Sequence, residues 1–140
     1  CKRYEDTASV IMMDIDHFKQ VNDTYGHQIG DRAIQLIADI ILESQRETDV
    51  CGRYGGEEFV ILLPKASLKD GVLVAERLRK RIEETPLPLG KEYNDEQLKL
   101  TVSAGVAEFS NELSIAENWL EKADAALYES KENGRNQVST

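Results

Sequence analysis

Apolar residues fall along this chain in short blocks and in spaced faces, and the spacing assigns most of its elements. Ala8 to Met13 (ASVIMM) is a short, mainly apolar run that stops abruptly at Asp14-Ile15-Asp16, which suits a buried strand. Ile34, Ile37, Ala38 and Ile41 recur at helical spacing, which predicts an amphipathic helix from about Gly30 to Arg46. VCGRYGGEEFVILL then divides into two apolar or aromatic runs around Gly55-Gly56, the pattern of a hairpin whose turn needs positive φ at its centre. Pro64 closes the second of those strands. Leu68, Val72, Ala75, Leu78 and Ile82 form another helical face, halted by Pro86 and Pro88. PLPLGKEYNDEQ reads as loop, and Leu98 to Phe109 reads as a strand. Ala116, Leu120, Ala123 and Leu127 mark a last helix that ends near Asn133-Gly134. The order is strand, helix, strand–turn–strand, helix, strand, helix. A hairpin between two crossover helices is the split βαβ, ferredoxin-like arrangement, so an α+β fold with a central antiparallel sheet flanked by helices is expected.

Composition narrows the function classes. The chain has 140 residues, enough for one domain with its own core. Its 17 Lys and Arg against 26 Asp and Glu leave a formal charge of −9, which speaks against binding a nucleic acid polymer. A nucleotide site remains compatible, because a few local cations or a bound metal override the global sign. No apolar run approaches the roughly 18 residues of a membrane span. Cys1 and Cys51 make neither a disulfide framework nor a zinc set, so a reduced, cytoplasmic domain is expected.

Three acidic features could carry chemistry. Asp14 and Asp16 sit where a strand meets a loop, a good position for a hard divalent cation, although taken alone Asp16 reads rather as the cap of the next helix. Glu57-Glu58 follows the Gly-Gly turn directly, where adjacent acids repel and a cation or a proton-transfer role would relieve them. If the first strand neighbours the hairpin, Asp14 and Glu57 join one carboxylate cluster. GHQIGD (Gly26 to Asp31), preceded by Asn22, offers an amide and a carboxylate that suit a guanine edge, while Asp31 alone would read as an acid at a helix start. Lys131 and Arg135, at the end of the last helix, either complement its dipole or meet phosphate oxygens.

Together RYGGEEF (Arg53 to Phe59), DIDHFKQVND (Asp14 to Asp23), GHQIGD and ADAALYESKENGRN resemble the four hallmark segments of the GGDEF domain family, over Ser9 to Asn136. The resemblance implies a palm-type fold and a diguanylate cyclase, which condenses two GTP into cyclic di-GMP and releases two pyrophosphates. It implies magnesium, with manganese as the alternative, held by Asp14, the Ile15 carbonyl and Glu57, with Glu58 assisting. Glu57 would also act as general base on the attacking 3′-hydroxyl. His17, Phe18 and Lys19 would present N–H groups, and Lys19 its ammonium, to phosphates, and Lys131 and Arg135 would reach the terminal ones. Asn22 and Asp31 would grip guanine, with His27 nearby.

The family catalyses as a homodimer, because each domain presents one GTP. Arg46-Glu47-Thr48-Asp49, five residues before the Gly-Gly turn, resembles the family's RxxD site for product inhibition, with Arg77 as a further contact. The family's opening helix, with its Asp-x-Leu-Thr and Asn-Arg pattern, finds no match here. The expectation is therefore a single domain over 1–140 without that helix and without the upstream sensory module. A catalytically silent module that binds cyclic di-GMP through Arg46 and Asp49 is the competing reading. The intact acids Glu57 and Glu58 favour the enzyme.

Overall fold

The computed structural model describes residues 7–110 and 116–140, with side chains described at 7–109 and 120–140. Strand β1 (Thr7–Ile15) is followed by helices α1 (Phe18–Tyr25) and α2 (His27–Ser44). Strands β2 (Val50–Arg53) and β3 (Glu58–Pro64) form the hairpin, and α3 (Leu68–Glu83) follows. Two-residue strands β4 (Leu87–Pro88) and β5 (Gln97–Leu98) flank a 3₁₀ turn at Lys91–Tyr93. Strand β6 (Val102–Ser110), α4 (Ala116–Glu132) and β7 (Val138–Ser139) complete the chain.

The main sheet runs β2-β3-β1-β6-β7, with β1 antiparallel to both β3 and β6. Alternation along β1 explains why apolar residues occupy both of its faces. Ile11, Met13 and Ile15 enter the large core under α1, α2 and α3, while Val10 and Met12 face α4 with Ala107, Ala123 and Leu127. Both faces are covered, so no polar residue is needed between them. By the same alternation Asp14 falls on the α4 side.

Several expectations are corrected. The helix expected from Gly30 starts at His27 and ends at Ser44, and a separate α1 precedes it. Gly26, at φ 91°, breaks the two apart, and its N–H caps α1 on the Asn22 carbonyl. Gly55 and Gly56 are not among the glycines at positive φ, because a wider Tyr54–Glu57 loop closed by Tyr54 N–H to the Glu58 carbonyl replaces a tight two-residue turn. The segment Leu98 to Phe109 is not one strand: Leu98 pairs with Leu87, Leu100 drops into the core, and β6 begins at Val102. The sheet is mixed rather than wholly antiparallel, since β7 joins β6 in parallel. A two-residue strand is too short to carry an alternation signal.

Candidate active site

The polar residues of interest gather where β1 ends. In the ladder Asp14 lies opposite Glu58 on one side and Ser103 on the other. The Ile15 N–H reaches the Glu57 carbonyl at 3.3 Å, which ties the Gly-Gly loop to the end of β1. Like charges directly opposite in a sheet repel, so the Asp14–Glu58 pair calls for a cation. Lys131, in the last turn of α4, supplies one by pairing with Asp14 Oδ2. The other oxygen, Asp14 Oδ1, is buried without a hydrogen-bond partner among the described residues.

Burial pushes the Asp14 carboxyl above its ordinary range, Lys131 pulls it back down, and the charges of Glu57 and Glu58 push it up again. The charges of Glu57 and Glu58 therefore reach Asp14. Among the described residues no three acids, histidines or cysteines stand as a ready metal-holding group. A buried carboxylate oxygen with no donor, beside two further acids, nevertheless fits a divalent cation better than it fits solvent-excluded protein.

Asp16 has a different part. It neither caps α1, whose N-cap is His17 without a side-chain bond, nor joins the acids. Its buried carboxylate accepts from Thr101 Oγ1 at 2.8 Å, Ser103 Oγ at 2.6 Å and the Asn136 N–H at 3.0 Å. His17 sits in the left-handed region at φ 57°, and α1 starts at Phe18. The first amides of α1, those of Phe18 and Lys19 among them, consequently lack partners within the helix. The side chains of His17 and Lys19 are exposed.

The α1–α2 corner brings Asn22 against Gly30. A Cβ on Gly30 would stand 1.8 Å from Asn22 Oδ1, so only glycine lets the amide lie there. Asn22 Oδ1 is also buried and unpartnered among the described residues. Asp31 and His27 are exposed on α2. Asp31 is not the helix-start acid of the bland reading, because α2 is capped by Gly26 and has no acid in its first turn.

At the chain's end Lys131 and Arg135 part company. Arg135 lies beyond the helix at φ 65°, its N–H bonded to the Ser130 carbonyl and its side chain exposed. The RxxD segment forms a closed turn. The Arg46 N–H and Nη2 each reach the Asp49 carboxylate at 2.9 Å, and Nη2 also reaches the Pro64 carbonyl at 3.2 Å. Asp49, 5% exposed, thus has both oxygens engaged by Arg46, whereas the Arg46 side chain is 57% exposed. Arg77 is exposed on α3, one turn before Arg81, which contacts Glu43 and Ser44 at the end of α2.

Sequence reasoning missed the bonds to Asp16 and a cluster around Asn136, whose amide bonds Arg79 and Glu83 on α3. Only the proximity of Asn136 to Arg135 in NGRN hinted at it.

The fold and site define an α+β domain with paired acids where a central strand meets the neighbouring hairpin, and a helix–helix corner that buries the Asn22 amide oxygen without a partner among the described residues. The chain belongs to the family described as "Diguanylate cyclase, GGDEF domain", whose profile matches residues 1–137. It is 44% identical over 135 residues to Diguanylate cyclase A of Treponema denticola, covering 96% of this chain and 35% of that protein. It is 38% identical over 133 residues to Response regulator PleD of Caulobacter vibrioides, covering 95% of this chain and 29% of that protein. The chain thus spans about a third of the length of the curated relatives it matches. The GGDEF domain of DgcB from Caulobacter crescentus, solved in complex with c-di-GMP, superposes at TM-score 0.87 with 37% identity, covering 95% of this chain and 77% of that one. The active GGEEF domain of a diguanylate cyclase from Vibrio cholerae gives 0.85 with 32% identity, covering 96% and 82%. Among the described residues, no helix is long and apolar enough to cross a membrane.

Proposed function

We propose that this domain is a diguanylate cyclase that joins two GTP molecules, one from each domain of a homodimer. In each of two condensations a 3′-hydroxyl oxygen attacks the α-phosphorus of the other GTP. A phosphodiester forms, the bond to pyrophosphate breaks, and the hydroxyl proton passes to Glu57. The observation that carries this reading is the unpartnered, buried Asp14 Oδ1 set beside Glu57 and Glu58. Asp14, the Ile15 carbonyl and Glu57, with Glu58 assisting, would hold magnesium or, alternatively, manganese, which lowers the pKa of a hydroxyl and offsets pyrophosphate charge. The protein's own share is positioning and charge neutralisation, the main needs of phosphoryl transfer.

Asn22 and Asp31 read guanine, and His27 borders that pocket. The N–H groups of His17, Phe18 and Lys19 at the start of α1 and the cations Lys131 and Arg135 take the phosphates. For Lys131 this means giving up or sharing its bond to Asp14. Product inhibition is assigned to Arg46, whose guanidinium is anchored on buried Asp49 and is 57% exposed, with Arg77, exposed on α3, as a further contact. Asp49 acts there by orienting Arg46 as much as by touching guanine.

The test is incubation with GTP and magnesium, with mass detection of cyclic di-GMP, alongside Glu57→Gln and Asp14→Asn. Both variants keep side-chain size and remove the charge, so turnover should vanish while urea unfolding stays cooperative. Product formation at the normal rate by Glu57→Gln would refute the assignment. Cyclic di-GMP binding without any turnover by the unmutated domain would favour the silent binding module instead.

A further inference from the structure

The segment after α4 is held in a disfavoured conformation. Gly134, Arg135 and Asn136 follow one another at φ 110°, 65° and 47°. Two successive non-glycine residues in the left-handed region are costly, and they persist only where their surroundings over-determine them. Asn136 provides that determination from three directions. Its N–H donates to Asp16 Oδ2 at 3.0 Å, its Oδ1 accepts from Arg79 Nη1 at 3.0 Å, and its Nδ2 donates to Glu83 Oε2 at 2.6 Å. Arg79 is itself held by Glu76 at 3.0 and 3.1 Å and by Glu83 at 3.6 Å. The next residue, Gln137, is pinned to β6 through its carbonyl and the Ala104 N–H. Arg135, by contrast, has an exposed side chain.

We propose that Asn136 is a positioning residue for Arg135: clamped between Asp16 of the β1 end and Arg79 and Glu83 of α3, it fixes the backbone from which the Arg135 guanidinium reaches the phosphates of GTP. This rests on the reading of Arg135 as a phosphate-binding residue. Only an amide satisfies the position, because one end faces a guanidinium and the other a carboxylate. The same amide bond is the leading cause that holds the Glu83 carboxyl below its ordinary range.

The experiment measures kcat and the KM for GTP in a cycle of Arg135→Ala, Asn136→Ala and the double variant, with thermal unfolding of each. Arg135→Ala and Asn136→Ala should each raise KM about tenfold, as loss of one charge-assisted hydrogen bond does. The double variant should be no worse than Arg135→Ala alone. A second pair guards against simple unfolding. Asn136→Asp sets a carboxylate against Glu83 and should raise KM likewise, whereas adding Glu83→Gln restores a donor–acceptor pair and should bring KM back to near the starting value. Penalties that multiply in the double variant, or a normal KM in Asn136→Ala beside a raised one in Arg135→Ala, would overturn the proposal. A normal KM in Arg135→Ala would instead refute the phosphate role of Arg135, and this proposal with it.

Discussion

Replacing Gly105 by alanine should be among the most damaging single-methyl additions this domain can suffer. Gly105 lies in the middle of β6, beneath α4. A Cβ there would stand 2.2 Å from both the Ala123 carbonyl oxygen and the Leu127 nitrogen, and 2.8 Å from the Ala126 carbonyl carbon. These are backbone atoms of α4, so no rotamer change relieves the clash, and the helix must withdraw by about an ångström. A gap of ~0.5–1 Å forfeits a quarter to a half of each dispersion contact. That loss falls on Val10, Met12, Ala107, Ala123 and Leu127, the whole smaller core. Overpacking ordinarily costs ~1–3 kcal/mol. With backbone as the obstacle, roughly 3–5 kcal/mol is expected, at and beyond the upper end of ordinary point substitutions.

Urea unfolding followed by far-ultraviolet circular dichroism measures it, with Gly52→Ala as the control, since nothing lies within 4 Å of a Cβ at Gly52. Because α4 also carries Lys131 to Asp14, cyclase turnover should fall in Gly105→Ala even where the protein remains folded. Equal stability of Gly105→Ala and Gly52→Ala would refute the packing argument.

Other consequences follow from the same geometry. A site whose polar groups are paired only by the right base can discriminate by ~10⁴-fold, so the domain should strongly prefer GTP over ATP, and Asp31→Ala should narrow that preference in a competition assay read by mass. Calorimetry should find cyclic di-GMP bound in the micromolar range, about −8 kcal/mol at a Kd near 1 μM. That binding should be lost in Arg46→Ala while turnover persists, once bound product is removed. Glu83 has its pKa lowered from 4.5 by its bond to Asn136, so the stabilisation is present above that value and is lost as pH falls through the folded-state pKa. Glu83→Gln should therefore show a shallower loss of urea stability on acidification, and a slope equal to that of the unmutated domain would contradict the linkage.

What the sequence alone determined was whatever local chemistry enforces. The short apolar run ending at Asp14 suited a buried strand, and the faces of α2, α3 and α4 were legible because helical spacing repeats often enough to be read. The acids Asp14, Glu57 and Glu58 stood out by their conjunction, since a strand-end acid and a paired-acid turn each alone would read as ordinary solvated or capping charges. Tertiary structure decided the rest. The ladder set Asp14 opposite Glu58, since register depends on how whole strands pair and not on either residue. It gave Lys131, 117 positions away in the chain, to Asp14, while Arg135 was carried off on a left-handed turn. It also made Asp16 a buried anchor for Thr101, Ser103 and Asn136, where adjacency had suggested a helix cap or a metal ligand. A carboxylate's role follows from which donors surround it once water is excluded, and those donors came from segments that only folding brings together.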